Sequence, residues 1–310
     1  MTGRSVLIVG GSSGIGLATA KRLGAAGDRL TLMARSSEGL RAAEDTCRSA
    51  GATEVTTIAG DIGIGTDARR GVAAALQAYG RLDIVIHTAT VMSYGSIEDT
   101  PAEIFTAVVD VAVHGTLHLA QAAMPVFREQ SAGNLIVVNS LLGSVTVPEM
   151  GAYATAKWGQ RALVRTLQQE TGDNKNIHIC MVSPGSTNTP IYYQAANYTG
   201  RSARPPAPVQ QPEQTAAVIA DLTLRPRKHV SIPVGPPNPL IITGFRLLPW
   251  LYDRLVGPLF KLGGLTRPDL AANGGNVESP VAAGEEVHGH WPHVFRSESS
   301  STPVADAAKR

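Results

Sequence analysis

The strongest constraint on the fold is a recurring unit: a short Val/Ile-rich run followed by a stretch with helical periodicity. SVLIVG (residues 5–10) leads into GIGLATAKRLGAAG, RLTLMA into SEGLRAAEDTCRSAG, and EVTTIAGD into TDARRGVAAALQAYG. LDIVIHTA, GNLIVVNS, NIHICMVSPG and HVSIPVG continue the series. Helical patterns fill the gaps at about 101–130, from Gly151 to Thr171, and in PEQTAAVIADLTL. Strands that are apolar throughout, rather than at alternate positions, are buried on both faces. A parallel sheet reaches that state only when helices cover both sides.

The pattern predicts one α/β domain over residues 1–235, a doubly wound, Rossmann-like parallel sheet with helices on both faces. Beyond it lies an apolar appendage, 236–265, and a Gly/Ser/Pro/Asn/Glu-rich stretch, 266–310, whose composition predicts a mobile tail. A net charge of +2 and the lack of basic runs interleaved with aromatics argue against nucleic acid as a partner. Cys47 and Cys180 stand far apart, which speaks against a disulfide framework or a cysteine metal site and for a reducing compartment. MTGRSVLIVGG enters a strand at once, leaving no room for a signal peptide, and no uninterrupted apolar run reaches the ~18 residues a bilayer requires. A cytoplasmic protein is the expectation.

The first strand runs straight into VGGSSGIG, with Gly10, Gly14 and Gly16 between strand and helix. Glycine at such a turn lets the backbone approach a pyrophosphate, and the free N–H groups of the helix start face it. Ser12, Ser13 and Ile15 share the turn and are assigned to the same cofactor. At the end of the second strand, where an acidic residue would bind a ribose 2′-hydroxyl, the chain has Ala34, Arg35 and Ser36. Arg35 and Ser36 suit a 2′-phosphate by charge and hydrogen bonding, so NADP(H) is favoured over NAD(H).

At the other end, NLIVVNS is a strand that ends at Ser140, placing its hydroxyl at the carboxyl edge of the sheet, where open α/β folds bind ligands. YATAK opens the long helix with Tyr153 and Lys157 one turn apart on one face. An ammonium nearby would lower the phenol from its usual pKa near 10 towards the working pH, making it a general acid and base. Ser140 would hold the substrate oxygen beside it.

In this order, Gly10-Gly14-Gly16, Ser140 and the pair Tyr153/Lys157 resemble the short-chain dehydrogenase/reductase family over about residues 4–235. The resemblance implies that Tyr153 transfers the proton, that Lys157 lowers its pKa and binds the nicotinamide ribose, and that Ser140 positions substrate. It also implies that Pro184, Gly185, Thr187 and Thr189 in SPGSTNTP border the nicotinamide carboxamide. Asp61 and Ile62, in AGDIG, would contact adenine, and Ala89 would line the cofactor. Family members are usually dimers or tetramers, so a homodimer or homotetramer is expected. Two departures stand out. The family's NNAG is His87-Thr88-Ala89-Thr90 here, and its helix asparagine aligns with Ala112. His114, two positions on, points to another helix face and reads as structural, whereas a catalytic reading of His87 stays open.

The loop carrying Tyr192, Tyr193 and Tyr198 either closes on a large apolar substrate or packs on its own domain. ITGFRLLPWLYDRLVGPLFKLGG could cover the cleft, join subunits, lie in a membrane interface, or dock on its own core; Pro249 and Pro258 are expected to break it into short pieces. His288, His290 and His293 lack a strict metal-binding spacing, and no metal is expected. The sequence therefore predicts an NADP(H)-dependent oxidoreductase interconverting a ketone and a secondary alcohol on a small-molecule substrate. The alternative is a catalytically weak NADP(H)-binding sensor or scaffold, motivated by Ala112 and the missing NNAG.

Overall fold

The structure is a computed structural model, and it describes residues 3–232, 237–268, 270–281, 285–289 and 291. Among the described residues, seven strands form one parallel sheet. They are β1 (Ser5–Val9), β2 (Arg29–Ala34), β3 (Val55–Ala59), β4 (Ile84–His87), β5 (Gly133–Val138), β6 (Ile177–Pro184) and β7 (His229–Ile232). Their order is β7-β6-β5-β4-β1-β2-β3. The chain winds one way from β1 to β3 and the other way from β4 to β7, so the carboxyl ends of β1 and β4 flank a crevice where the winding reverses. Val9 is paired with both Met33 and His87, which brings three strand ends to one rim.

Alternation along the strands explains the two cores. Val6 and Ile8 join Leu17, Leu23 and Leu222 on one face, while Leu7 and Val9 join Val72, Phe127 and Val164 on the other. The first face is covered by α1 (Gly14–Ala25), α2 (Ser37–Ser49) and α8 (Pro212–Leu224). The second is covered by α3 (Gly65–Tyr79), α4 (Ala102–Val109), α5 (Gly115–Gln130) and α6 (Gly151–Glu170). A π-helical turn, Asp110–His114, joins α4 to α5. This 29-residue stretch is long and apolar enough to cross a membrane. Its Leu119, Ala123 and Phe127 are instead buried against the sheet.

Beyond the sheet, a one-turn helix α7 (Ile191–Gln194) precedes a short antiparallel pair, Arg201–Ala203 with Leu265–Pro268. That pair ties the end of the appendage to the loop after β6. The appendage itself is two helices, α9 (Pro237–Leu247) and α10 (Pro249–Gly264). Pro249 starts the second helix, as expected of a residue whose missing N–H costs nothing in a first turn. Pro258 does not break it. The helix runs on through Pro258, whose exposed ring leaves the affected backbone on the solvent side.

Composition predicts a loose tail after residue 266, but its described part returns over the sheet. Asn273 pairs with Asn197 through both backbone groups, and Gly289 N–H donates to the Asn188 carbonyl at 3.2 Å. Contacts made by backbone atoms need no apolar side chains, so composition carries no sign of them.

Candidate active site

The glycine turn sits where β1 leaves the sheet. Gly10 has φ +83°, and a Cβ there would lie 2.5 Å from the Ala89 amide nitrogen, so only glycine fits. Thr88 fastens the same corner: its Oγ1 donates to the Val9 carbonyl at 2.8 Å and approaches that of Gly10 at 3.1 Å. Within HTAT, then, the threonine pins the ends of β1 and β4 together.

From this turn one cleft of about 850 Å3 extends to the substrate loop. Every residue assigned from the sequence borders it: Gly10, Ser12, Ser13, Gly14, Ile15, Gly16, Arg35, Ser36, Asp61, Ile62, Ala89, Ser140, Tyr153, Lys157, Pro184, Gly185, Thr187 and Thr189. Residues far apart in sequence meet because each lies at, or just past, a strand's carboxyl end or at a helix start.

Ser140 follows β5 and caps a 3-10 turn, its Oγ accepting from Leu142 N at 3.2 Å. The Tyr153 phenol lies beside the side chains of Ser140 and Thr90, close enough for each hydroxyl to favour its phenolate. Lys157, one turn further along α6, places Nζ 5.6 Å from the centre of the Tyr153 ring. Its ammonium donates to the Val138 carbonyl at 3.1 Å and to Gln160 Oε1 at 3.2 Å. Gln160 is fully buried and uses its whole amide. Oε1 also accepts from Asn139 Nδ2 at 3.0 Å, and Nε2 donates to the Ala112 carbonyl at 3.2 Å and to Thr116 Oγ1 at 3.1 Å. Gln160 thus bridges Lys157 to the π-turn that contains Ala112.

Sequence reasoning missed Thr90 and Gln160. Thr90 lies in the stretch treated as a departure. Gln160 reads as an ordinary helix residue, although an amide three positions past Lys157 shares its face, and that spacing was the available signal.

Burial governs the titration of this group. It pushes the Tyr153 phenol up to about 12, against the opposing effect of the Ser140 and Thr90 hydroxyls, and brings Lys157 down to about 7. The expected lowering of the phenol is therefore reversed in this arrangement. A buried phenol loses more by desolvation of its anion than two hydroxyls return. Tyr153 is a proton donor at neutral pH, and Lys157 titrates close to it. His87, also buried, is lowered to about 3 by burial and then by the Lys157 charge, so it stays neutral.

The nucleotide end holds donors in contact with the returning tail. Gly14 N–H donates to the Glu286 carbonyl at 2.8 Å, Arg35 Nη1 and Nη2 donate to the carbonyls of Val277 (2.9 Å) and Asn276 (2.5 Å), and Ser36 Oγ donates to Glu285 Oε2 at 3.1 Å. These donors — a helix-start amide, a guanidinium and a hydroxyl — are the set that phosphate oxygens would take, and carbonyl oxygens and the Glu285 carboxylate hold them here. Asp61 Oδ1 accepts from Gly63 N at 2.8 Å and stands near Arg35. By donor chemistry and by the volume of the cleft, the residues fit a nicotinamide dinucleotide.

The remaining expectations divide. Tyr192 lines the cleft, whereas Tyr193 is exposed and stands 5.7 Å from Trp291, centre to centre, and Tyr198 lies outside the cleft lining. His114 bonds Asp110 at 2.6 Å on the surface. His288 pairs with Glu213 at 2.8 Å, while His290 and His293 lie outside the described residues. Among the described residues, no group of three or more His, Cys, Asp or Glu could hold a metal ion.

Comparison with known proteins follows the same outline. The profile of the short chain dehydrogenase family matches residues 4–198. Oxidoreductase BOA17 of Botryotinia fuckeliana is 28% identical over 227 residues, spanning 73% of this chain and 79% of that one. A crystal structure of a metagenomic short-chain oxidoreductase in complex with NADP superposes with TM-score 0.64 at 26% identity, covering 75% of this chain and 97% of that one. Levodione reductase gives 0.66 at 27% identity, covering 75% and 96%.

Proposed function

Because the chain belongs to the short-chain dehydrogenase family of oxidoreductases, we propose that it interconverts a ketone and a secondary alcohol with NADP(H), using Tyr153 as the proton-transferring group. The observation that carries this reading is the Tyr153 phenol, set beside the Ser140 and Thr90 side chains in the cleft with the Lys157 ammonium one helical turn away. When bound, the nicotinamide supplies or accepts the hydride.

The chain's own residues handle the oxygen. Ser140 Oγ offers a hydrogen bond to the substrate oxygen and orients it towards the phenol. Tyr153, protonated at neutral pH, gives its proton to the oxygen as negative charge develops there. Lys157 favours the phenolate so formed by its positive charge. Gln160 and the Val138 carbonyl fix the ammonium, so its charge stays near the ring. Arg35 and Ser36 would take the 2′-phosphate, which supports NADP(H) over NAD(H). Gly14 and its turn would face the pyrophosphate.

The sensor or scaffold alternative drew on Ala112. Gln160 links Lys157 to that turn from the facing helix, which supports the enzyme reading where the asparagine is missing. The deciding experiment measures oxidation of NADPH and of NADH over a panel of ketones, and reduction of NADP+ over the matching alcohols. Turnover with NADPH preferred is the expected result. Binding of NADPH with no turnover of any panel member would replace the enzyme reading by the sensor.

A further inference from the structure

The two helices of the appendage have two unlike duties. Their inner residues, among them Ile241, Leu251 and Phe260, roof the cleft. Their outer residues face solvent: Leu240 is 74% exposed, Leu247 72% and Trp250 67%. Six of the fourteen exposed large apolar side chains among the described residues fall within α9 and α10, and a seventh, Leu248, lies between them. That concentration exceeds what a surface carries by chance scatter.

Between the leucines stand Arg246, Arg254 and Lys261, all exposed, against the single acid Asp253. A protein–protein interface core is depleted of charge, lysine above all. A bilayer interface accepts this mixture, since apolar side chains enter the acyl boundary while cationic heads rise to anionic phosphates. Leu248, Leu255, Leu259 and Leu262 both line the cleft and are exposed at 47–75%, so the mouth of the cavity is rimmed by leucine. A second copy of the chain seated there would stop that mouth, whereas an acyl layer continues it. Because α10 passes unbroken through Pro258, one 16-residue helix presents Leu255, Leu259 and Leu262 of this rim.

We propose that α9 and α10 dock the protein on an anionic lipid bilayer, and that its substrate is a lipid-soluble ketone or alcohol entering from the acyl layer through the leucine-rimmed mouth. The substrate half rests on the oxidoreductase reading above; the docking half does not. Leu240, Leu247 and Trp250 lie on the outer face and do not line the cleft, so changing them alters docking without touching the cavity.

The full-length chain is sedimented with vesicles of phosphatidylcholine containing phosphatidylglycerol, and with phosphatidylcholine alone. Turnover with NADPH is followed on a small water-soluble ketone and on a long-chain methyl ketone dissolved in the vesicles. The full-length chain should bind the anionic vesicles about tenfold more strongly than the neutral ones. The triple variant Leu240→Ser/Leu247→Glu/Trp250→Glu should lose about tenfold in vesicle binding and in kcat/KM on the vesicle-borne ketone. Its kcat/KM on the soluble ketone should stay within about twofold, an effect small enough to show an intact active site. Arg246→Gln/Arg254→Gln, which adds no charge to an apolar face, should abolish the preference for anionic vesicles. Absence of wild-type binding to either vesicle overturns the docking, even if the soluble ketone turns over. So does a triple variant that becomes monomeric in sedimentation velocity while its vesicle binding is unchanged, since the face would then belong to a second copy. Vesicle binding with no turnover of either ketone upholds the docking and overturns the oxidoreductase reading instead.

Discussion

Two regions border one cleft and hold it by different means. Along the sheet rim, Asn139, Lys157 and Gln160 are joined by directional hydrogen bonds between buried side chains, with Ser140 and Tyr153 beside them. Over the cleft and across its nucleotide end, the described residues between 237 and 291 make apolar contacts through leucines and polar ones largely through backbone carbonyls. The first kind of contact demands particular residues at particular spacings. The second tolerates many sequences, so it is where a scaffold can change its substrate without disturbing its chemistry.

If the rim carries the chemistry, its substitutions should dominate. Tyr153→Phe should lower turnover about a thousandfold, the loss expected of an essential proton donor. NADPH binding, followed by fluorescence, should survive, because the ring and its neighbours remain. A variant that turns over normally would place the chemistry elsewhere. Arg35→Ala should reduce the preference for NADPH over NADH by about 10–100-fold in kcat/KM, the worth of one to two charged hydrogen bonds. An unchanged preference would mean that its tail carbonyls are its permanent partners.

Gln160→Leu sharpens the comparison within the rim. It leaves the Ala112 carbonyl, Thr116 Oγ1 and Asn139 Nδ2 without an amide partner, and should cost about 2 kcal/mol in stability with about a tenfold fall in kcat. Lys157, lowered to about 7, loses its charge as pH rises through that value, so a reduction that needs the ammonium declines above it. Removing an acceptor makes the ammonium harder to keep, and the declining limb should move to lower pH. Gln160→Glu adds a negative partner and should move it higher. A merely structural role would change stability and leave the limb in place. Folding stability responds with the opposite slope. Between about 7 and 10.5 the unfolded lysine holds a proton that the folded one has given up, so stability rises with pH there, and Lys157→Met should remove the rise.

The smallest effect belongs to the tail. Glu285→Ala with Trp291→Ala removes the Ser36 contact and the bond from Trp291 Nε1 to the Thr189 carbonyl at 3.1 Å. Loosening a segment that occupies Arg35 and Gly14 should tighten NADPH binding about threefold by titration. Weaker binding would show that the tail helps to hold the dinucleotide.

What could be read in the sequence follows the same division. Gly10, Gly14 and Gly16 mark a turn, and Tyr153 and Lys157 mark a helix face, because local offsets translate directly into shared geometry. The parallel sheet with helices on both faces follows from the alternation of apolar runs and helices. Gln160 stayed silent because its partners at Ala112 and Thr116 come from another helix, more than forty residues earlier. The Arg35 partners lie 241 and 242 residues away and are carbonyl oxygens, which any residue type provides. The continuity of α10 through Pro258 was hidden too, since a proline facing solvent bends a helix at little cost where its carbonyl neighbour can turn outward.

Among the described residues, the Lys157 ammonium has neutral partners, a carbonyl and an amide oxygen, and no carboxylate. A polyanionic coenzyme arriving in the cleft would raise the affinity of that amine for hydrogen ions. Slightly above neutrality, association would therefore draw a fraction of a proton from the buffer, and heats of binding measured in buffers of different ionisation enthalpy should diverge accordingly.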